Sequence, residues 1–381
     1  MNPVRKFAVF AFALSVVTES FAVRHVGFEV DSFNRAFEVG WSTNVVFSPL
    51  SFEIDCAMAA ESLGTLQRAA VAESMGVLVE FAGVYRPIME SHVVRAESFG
   101  FASARGFCIP DIRTAKPDFR RMLQRVYGAE VMPAFPAEGA GSWFRATMDG
   151  AMEDFSIPTD SATSGRYSFY DLLAVNVEWQ EPFPLSNNRT LKFHCADGTD
   201  RKIPFMSDVR VADAWDAREY LLMKLPLKGQ LDYYAMMPKE GLSLAAVRQD
   251  FSSMEIDLLL TMTGQTGLRG NYHGTAAIVL PRLELASRVD FTSVMRDFRV
   301  PLSDLKYLTG RVSPKEYVQH VRFRLAEHGL KETPVERKPE ERQVRMSAGT
   351  RKFVFNRPFL FFVHDRETQT IPVAGIFTGL D

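Results

Sequence analysis

Phe353-Val354-Phe355-Asn356-Arg357-Pro358-Phe359-Leu360-Phe361-Phe362-Val363 reads as a strand, and an unusually aromatic one. The stretch before it is the opposite. Between Leu330 and Arg345 stand Lys331, Glu332, Glu336, Arg337, Lys338, Glu340, Glu341, Arg342 and Arg345, with Pro334 and Pro339 among them. Such a segment buries too little apolar surface to order itself, so a long exposed loop is expected to lead into this strand. Further back, Ala276 to Leu285 and Phe169 to Trp179 read as strands, while Tyr220–Leu227 and Leu231–Met237 read as a hairpin turned by Lys228-Gly229-Gln230. Helical periods lie between them. Ser48 followed by Pro49 starts one helix, with Ile54, Met58 and Leu63 along its stripe. A second runs from Pro117 to Tyr127 with Phe119, Met122, Leu123 and Val126 on one face and Gly128 as its stop. The two periods are mixed along the chain without a repeat or a linker, so the fold class is α+β in one domain.

The composition is that of a globular protein: 46% hydrophobic and 24% charged over 381 residues. Lys+Arg is 44 and Asp+Glu is 46, a net charge of −2, which leaves no basic excess for a phosphate backbone; nucleic acid is not an expected partner. Three cysteines, Cys56, Cys108 and Cys195, cannot form a disulfide framework. Stability must come from a large core, which a chain of this length can supply.

The N-terminus reads as a secretory leader. Arg5 and Lys6 precede an uncharged apolar run from Phe7 to Val17, and Ser20-Phe21-Ala22 places small residues at a cleavage site. Residues 1–22 are therefore expected to be a signal peptide and 23–381 the secreted, extracellular domain. The run is too short to span a bilayer, and no later stretch reaches the roughly 20 apolar residues a membrane helix needs. In that compartment Asn188-Arg189-Thr190 is a glycan acceptor triplet.

Seven short motifs, in order along the chain, carry a resemblance to a family. They are Phe47-Ser48-Pro49-Leu50-Ser51, Tyr127-Gly128-Ala129-Glu130-Val131, Trp179-Gln180-Glu181-Pro182-Phe183, Ile203-Pro204-Phe205-Met206, Leu225-Pro226-Leu227-Lys228-Gly229, Leu280-Pro281-Arg282-Leu283 and Phe355-Asn356-Arg357-Pro358-Phe359-Leu360-Phe361. Together they resemble the serpin (serine protease inhibitor) family over essentially all of the secreted domain. The resemblance implies three β-sheets wrapped by helices, with an exposed reactive-centre loop at about residues 329–352, where the charged segment lies. An inhibitory serpin is a bait: a protease cleaves the loop, and the freed loop enters the main sheet as a new strand.

Insertion needs a hinge of small residues, because alternate side chains must pass into a packed interior. Glu327 and Gly329 match the family's hinge, but Leu330, Glu332, Pro334 and Glu336 do not; the family prefers Thr and then Ala-like residues. On a strand these four and Lys338 share one face, which the family pattern makes the inward one. Two carboxylates would then be buried, at several kcal/mol each. Pro334 has no N–H for a central strand. A slipped register buries Lys331 and Arg337 instead.

Counting along the loop places the reactive bond at Gln343-Val344 from one end and near Ser347 from the other. Arg345-Met346 is the preferred bond and Arg342-Gln343 the alternative, each offering an Arg to a trypsin-like pocket. Behind the main sheet, Ser48 and Ser51 match the residues that hold its central strands closed. Asp171 stands where the family usually has Asn, and Gln319 where it often has His, with His320 one position away. Asp171 is then either a buried acid with a raised pKa or a carboxylate paired by hydrogen bonds.

Motifs for zinc hydrolases, serine hydrolases, phosphate-binding loops and dithiol redox sites are absent from the sequence. No cofactor and no metal is expected, His194-Cys195 reading as structural. Arg120, Arg121 and Arg125 read as a solvated helix face. The expected protein is a secreted monomer, not an enzyme and not inhibitory, that acts by binding a protein or ligand. The alternative is a suicide inhibitor of a trypsin-like serine protease.

Overall fold

The computed structural model describes residues 27–35, 43–77, 80–99, 101–134, 137–156, 166–176, 178–247, 272–300, 314–328 and 350–380. The leader at 1–22 lies outside them. So do Gly329, Leu330, Glu332, Pro334, Glu336, Arg342, Gln343, Arg345 and Met346 of the loop.

The strands in chain order are β1 (Val45–Phe47), β2 (Phe101–Ile109), β3 (Ala129–Pro133), β4 (Tyr167–Asn176), β5 (Arg189–His194), β6 (Asp200–Asp216), β7 (Tyr220–Pro226), β8 (Leu231–Pro238), β9 (Tyr272–Pro281), β10 (Leu283–Asp290), β11 (Pro314–Leu325), β12 (Arg351–Val354), β13 (Phe359–Asp365) and β14 (Thr370–Phe377). They form a five-stranded sheet, β10-β11-β4-β2-β3, and a nine-stranded one, β1-β14-β13-β8-β7-β6-β9-β12 with β5 on β6. Among the described residues the sheets implied by the resemblance are joined by hydrogen bonding into these two, because β6, 17 residues long, pairs with β5 at its start, with β9 along its middle and with β7 at its end.

The longer helices among the described residues are α1 (27–35), α2 (Pro49–Glu61), α3 (Thr65–Ser74), α4 (Phe81–Phe99), α5 (Pro117–Tyr127) and α6 (Ala137–Thr147). Both helix starts read from the sequence hold. Ser48 is the N-cap of α2, its Oγ accepting from the Ser51 N–H at 3.1 Å, and Pro49 occupies the first turn, where its missing N–H costs nothing. Gly128 ends α5 in the left-handed conformation, φ 64°. The β7–β8 hairpin turns through Gly229 and Gln230, both at positive φ, the backbone of a tight primed turn.

Two expected strands are divided. The aromatic run 353–363 breaks at Asn356-Arg357-Pro358, so that its first part is β12 and its second β13, at different places in the nine-stranded sheet. Pro358 cannot donate to a ladder, and the Arg357 guanidinium donates to the Pro238 carbonyl at 2.8 and 3.0 Å, holding the turn. Likewise Ala276–Leu285 changes sheets at Arg282, becoming β9 and β10. The strand read from Phe169 is β4 and ends at Asn176; Trp179 lies beyond it, bridged to Leu227.

The core between the two sheets joins Leu173 and Val175 of β4 and Val321 and Phe323 of β11 to Tyr233, Phe361 and Val363. Phe323 stacks on Phe361 with ring centroids 4.9 Å apart. The other face of the five-stranded sheet, Tyr170, Leu172, Ala174 and Val318, packs with Phe144 of α6. β4 and β11 meet in a seam, directly paired and parallel from Tyr167↔Pro314 to Asn176↔Arg324.

Candidate functional site at the strand seam

Register places three polar residues in one row across the five-stranded sheet. Arg105 of β2 is opposite Asp171 of β4, which is opposite Gln319 of β11. By strand alternation they share a face with Phe107, Phe169 and Tyr317, the face turned toward α2. All three are buried, Asp171 completely.

Gln319 reads the backbone of the α2 N-cap. Its Oε1 accepts from the Ser48 N–H at 2.6 Å and its Nε2 donates to the Ser48 carbonyl at 3.0 Å. Ser48 caps Ser51, and the Ser51 Oγ accepts from Arg105 Nη2 at 3.1 Å. Arg105 continues the chain: Nη2 lies 3.5 Å from Asp171 Oδ2, Nε 3.3 Å from Asp55 Oδ1, and Nη1 donates to the Tyr127 carbonyl at 3.1 Å. A connected polar network therefore runs from β11 to β4 through the first two turns of α2, and it crosses the seam.

The electrostatics follow from one cation and two carboxylates. Burial drives the Asp55 carboxyl well above its usual range, and the Asp171 charge pushes the same way, against the pull of Arg105. The second acid beside the Arg105 guanidinium, with Asp171, is Asp55. Asp171 Oδ1 is buried without a hydrogen-bond partner. His320 does not replace Gln319: it faces the other side, edge-on to Phe155 at 4.9 Å, and burial lowers its imidazole to about 4.

Glu327, the residue expected to begin the hinge, is anchored at the top of the seam. Glu327, 3% exposed, accepts from Asn188 Nδ2 at 2.6 Å and lies 3.5 Å from Arg282 Nε. Its carbonyl accepts from the Phe183 N–H at 2.8 Å, and the preceding Ala326 carbonyl accepts from Trp179 Nε1 at 2.8 Å. The acceptor triplet's Asn188 is therefore joined to the hinge. The structure brings Ser48, Ser51, Asp171 and Gln319 together as one cluster, and Glu327 and Asn188 as a second.

Sequence reasoning missed Arg105 and Asp55. A signal existed: Arg105 is the one charge in Phe101-Ala102-Ser103-Ala104-Arg105-Gly106-Phe107-Cys108-Ile109, and a lone charge in an apolar strand demands a buried partner. Among the described residues, no helix is long and apolar enough to cross a membrane. His194 pairs with Asp200 at 2.6 Å, a surface contact.

A family model described as serpin (serine protease inhibitor) matches residues 27–379. Serpin I2 of Homo sapiens is similar at 20% identity, over 94% of this chain and 92% of that protein. An uncharacterised serpin-like protein of Thermococcus kodakarensis is 22% identical, over 88% and 80% of the two chains. Among solved structures, native protease nexin-1 with heparin superposes with a TM-score of 0.79 at 16% identity, covering 94% of this chain and 99% of that one. Serpin48 of the insect Tenebrio molitor gives 0.77 at 16% identity, over 95% and 98%. A family model that spans the chain from the first described helix to β14, on a fold shared at that coverage, means that the chain belongs to the serpin family.

Proposed function

We propose that this protein is a secreted, non-inhibitory serpin that acts by binding a protein or ligand and catalyses no reaction. The supporting observation is the Arg105–Asp171–Asp55 cluster at the seam. With Leu330, Glu332, Pro334 and Glu336 facing inward, a strand returning antiparallel to β11 from the turn after Glu327 brings Glu336 level with Gln319. Glu336 would then lie beside Asp171, adding a third carboxylate around one guanidinium. Each buried acid without its own counter-charge costs several kcal/mol, and Pro334 withdraws a ladder hydrogen bond two residues earlier. These costs oppose the gain from completing the sheet.

The leader sequence and the acceptor triplet support secretion. One observation favours a second reading, a suicide inhibitor of a trypsin-like serine protease: Glu327, where the expected hinge begins, is fixed at the top of the seam. In that reading Arg345 or Arg342 is the bait.

The experiment is limited trypsin cleavage of the loop, with the cut mapped by mass spectrometry and thermal unfolding recorded before and after. The expected midpoint is unchanged. A rise on the order of tens of degrees, as a newly completed sheet would give, overturns the proposal and calls for a search for covalent protease complexes.

A further inference from the structure

On the nine-stranded sheet, away from the seam, His364 is 1% exposed and neither ring nitrogen has a hydrogen-bond partner. Such a group is expensive to keep buried unless something satisfies it. His364 lines a cavity of about 400 Å³, a volume in the small-molecule range. Register fixes the surroundings. Asp232 on β8 is directly opposite His364 on β13, and Asp213 on β6 is directly opposite Lys224 on β7. His364, Asp232 and Lys224 share a face with the stacked Tyr234 and Phe362 rings, 4.7 Å apart.

Four charges of this cavity form two loose pairs; its lining also holds Glu181 and Arg210, the latter paired with Asp208 at 2.7 Å, and Asp213 Oδ1 is in addition paired with His273. Lys224 Nζ is 3.5 Å from Asp213 Oδ2, and Arg366 Nε is 3.3 Å from Asp232 Oδ2. Both are longer than the roughly 2.7–2.9 Å of a charge-assisted hydrogen bond. Lys224 on β7 stands diagonally from Asp232 on β8, at about 7–8 Å, and Asp213 lies one strand farther along the sheet on β6. The imidazole is neutral at pH 7, since burial lowers it to about 4, so it offers one donor and one acceptor.

We propose that this cavity binds a small zwitterion with an ammonium and a carboxylate a few bonds apart, an amino-acid-like molecule. The carboxylate lies between Lys224 and Arg366, the ammonium between Asp232 and Asp213, and the His364 ring hydrogen-bonds at their junction. A single anion or cation would leave one of the opened pairs uncompensated. A neutral polyol would satisfy the ring but not tighten either pair. The site is built without any residue of the loop, so it goes beyond the non-inhibitory reading and does not depend on it.

The test uses the full chain, titrated calorimetrically and melted with L-alanine, and with propionate, ethylamine and glycerol as partial mimics. Saturable L-alanine binding with a raised unfolding midpoint is expected, and none from the other three. His364→Leu should raise the midpoint without ligand and abolish the L-alanine shift. Asp232→Asn should weaken binding by about ten-fold or more; it also carries the test if His364→Leu fails to fold. Binding of propionate, ethylamine or glycerol as tight as that of L-alanine overturns the proposal. So does wild-type affinity in His364→Leu, or no binding by any probe. Cleavage of the loop is scored without ligand, so failure of that reading and failure of this one are distinguishable.

Discussion

Arg105 holds two buried carboxylates, a serine hydroxyl and the Tyr127 carbonyl with one guanidinium. Removing one partner of a buried ionic group leaves the others uncompensated, so Arg105→Met should lose about 3–5 kcal/mol in urea unfolding. Lys is not an equal substitute, because a point charge cannot address both acids and the carbonyl at once. Asp55 makes the cluster sensitive to pH. Its folded-state pKa lies above the unfolded value of about 3.9, so the folded chain holds a proton that the unfolded chain releases. Its contribution to stability is complete below about pH 3.9 and is lost as pH rises through the folded pKa, at up to about 1.4 kcal/mol per unit. Asp55→Asn should remove that fall; unfolding free energies from pH 4 to 8 that decline equally in both proteins would contradict it.

At the scale of elements, β11 of the parallel β4–β11 pair is tied to the N-cap of α2 by the Gln319 amide. Gln319 satisfies both backbone groups of Ser48 and so fixes the N-cap of α2 to the strand across the seam. Gln319→Leu leaves a buried N–H unpaired, at a cost of about 1–3 kcal/mol. Hydrogen exchange should then quicken at the first turn of α2 and along β11, while the β13–β14 pair keeps its protection. Uniform loss over both sheets would mean that Gln319 is a general core residue rather than a tie. The sequence showed much of this level. The Ser48-Pro49 start, the Gly128 stop and the Gly229 turn were legible because each follows from local backbone chemistry. The break at Asn356-Arg357-Pro358 was not, although Pro358 marks it, because aromatic residues on either side read as one strand and a change of sheet is set by long-range pairing.

For the whole molecule, the order of seven motifs disclosed the family although each was weak alone. Asp171 and Gln319 were legible as departures from it. Their partners were not, because Arg105 and Asp55 are 50 residues apart in the chain and meet only through the packing of α2 on β2. The His364 cavity was equally hidden: it assembles from four strands whose order in the sheet, β6-β7-β8-β13, is set by long-range pairing. One consequence belongs to the clasp at the top of the seam. The nitrogen that holds Glu327, Asn188 Nδ2, is the atom to which an oligosaccharide would be joined if the Asn188-Arg189-Thr190 triplet were used as an acceptor. A sugar there would replace one of its two hydrogens before folding ends. The same polypeptide made in a bacterium and in a secretory cell would then differ at its loop root, and the source of the material would belong among the variables of every loop-cleavage experiment.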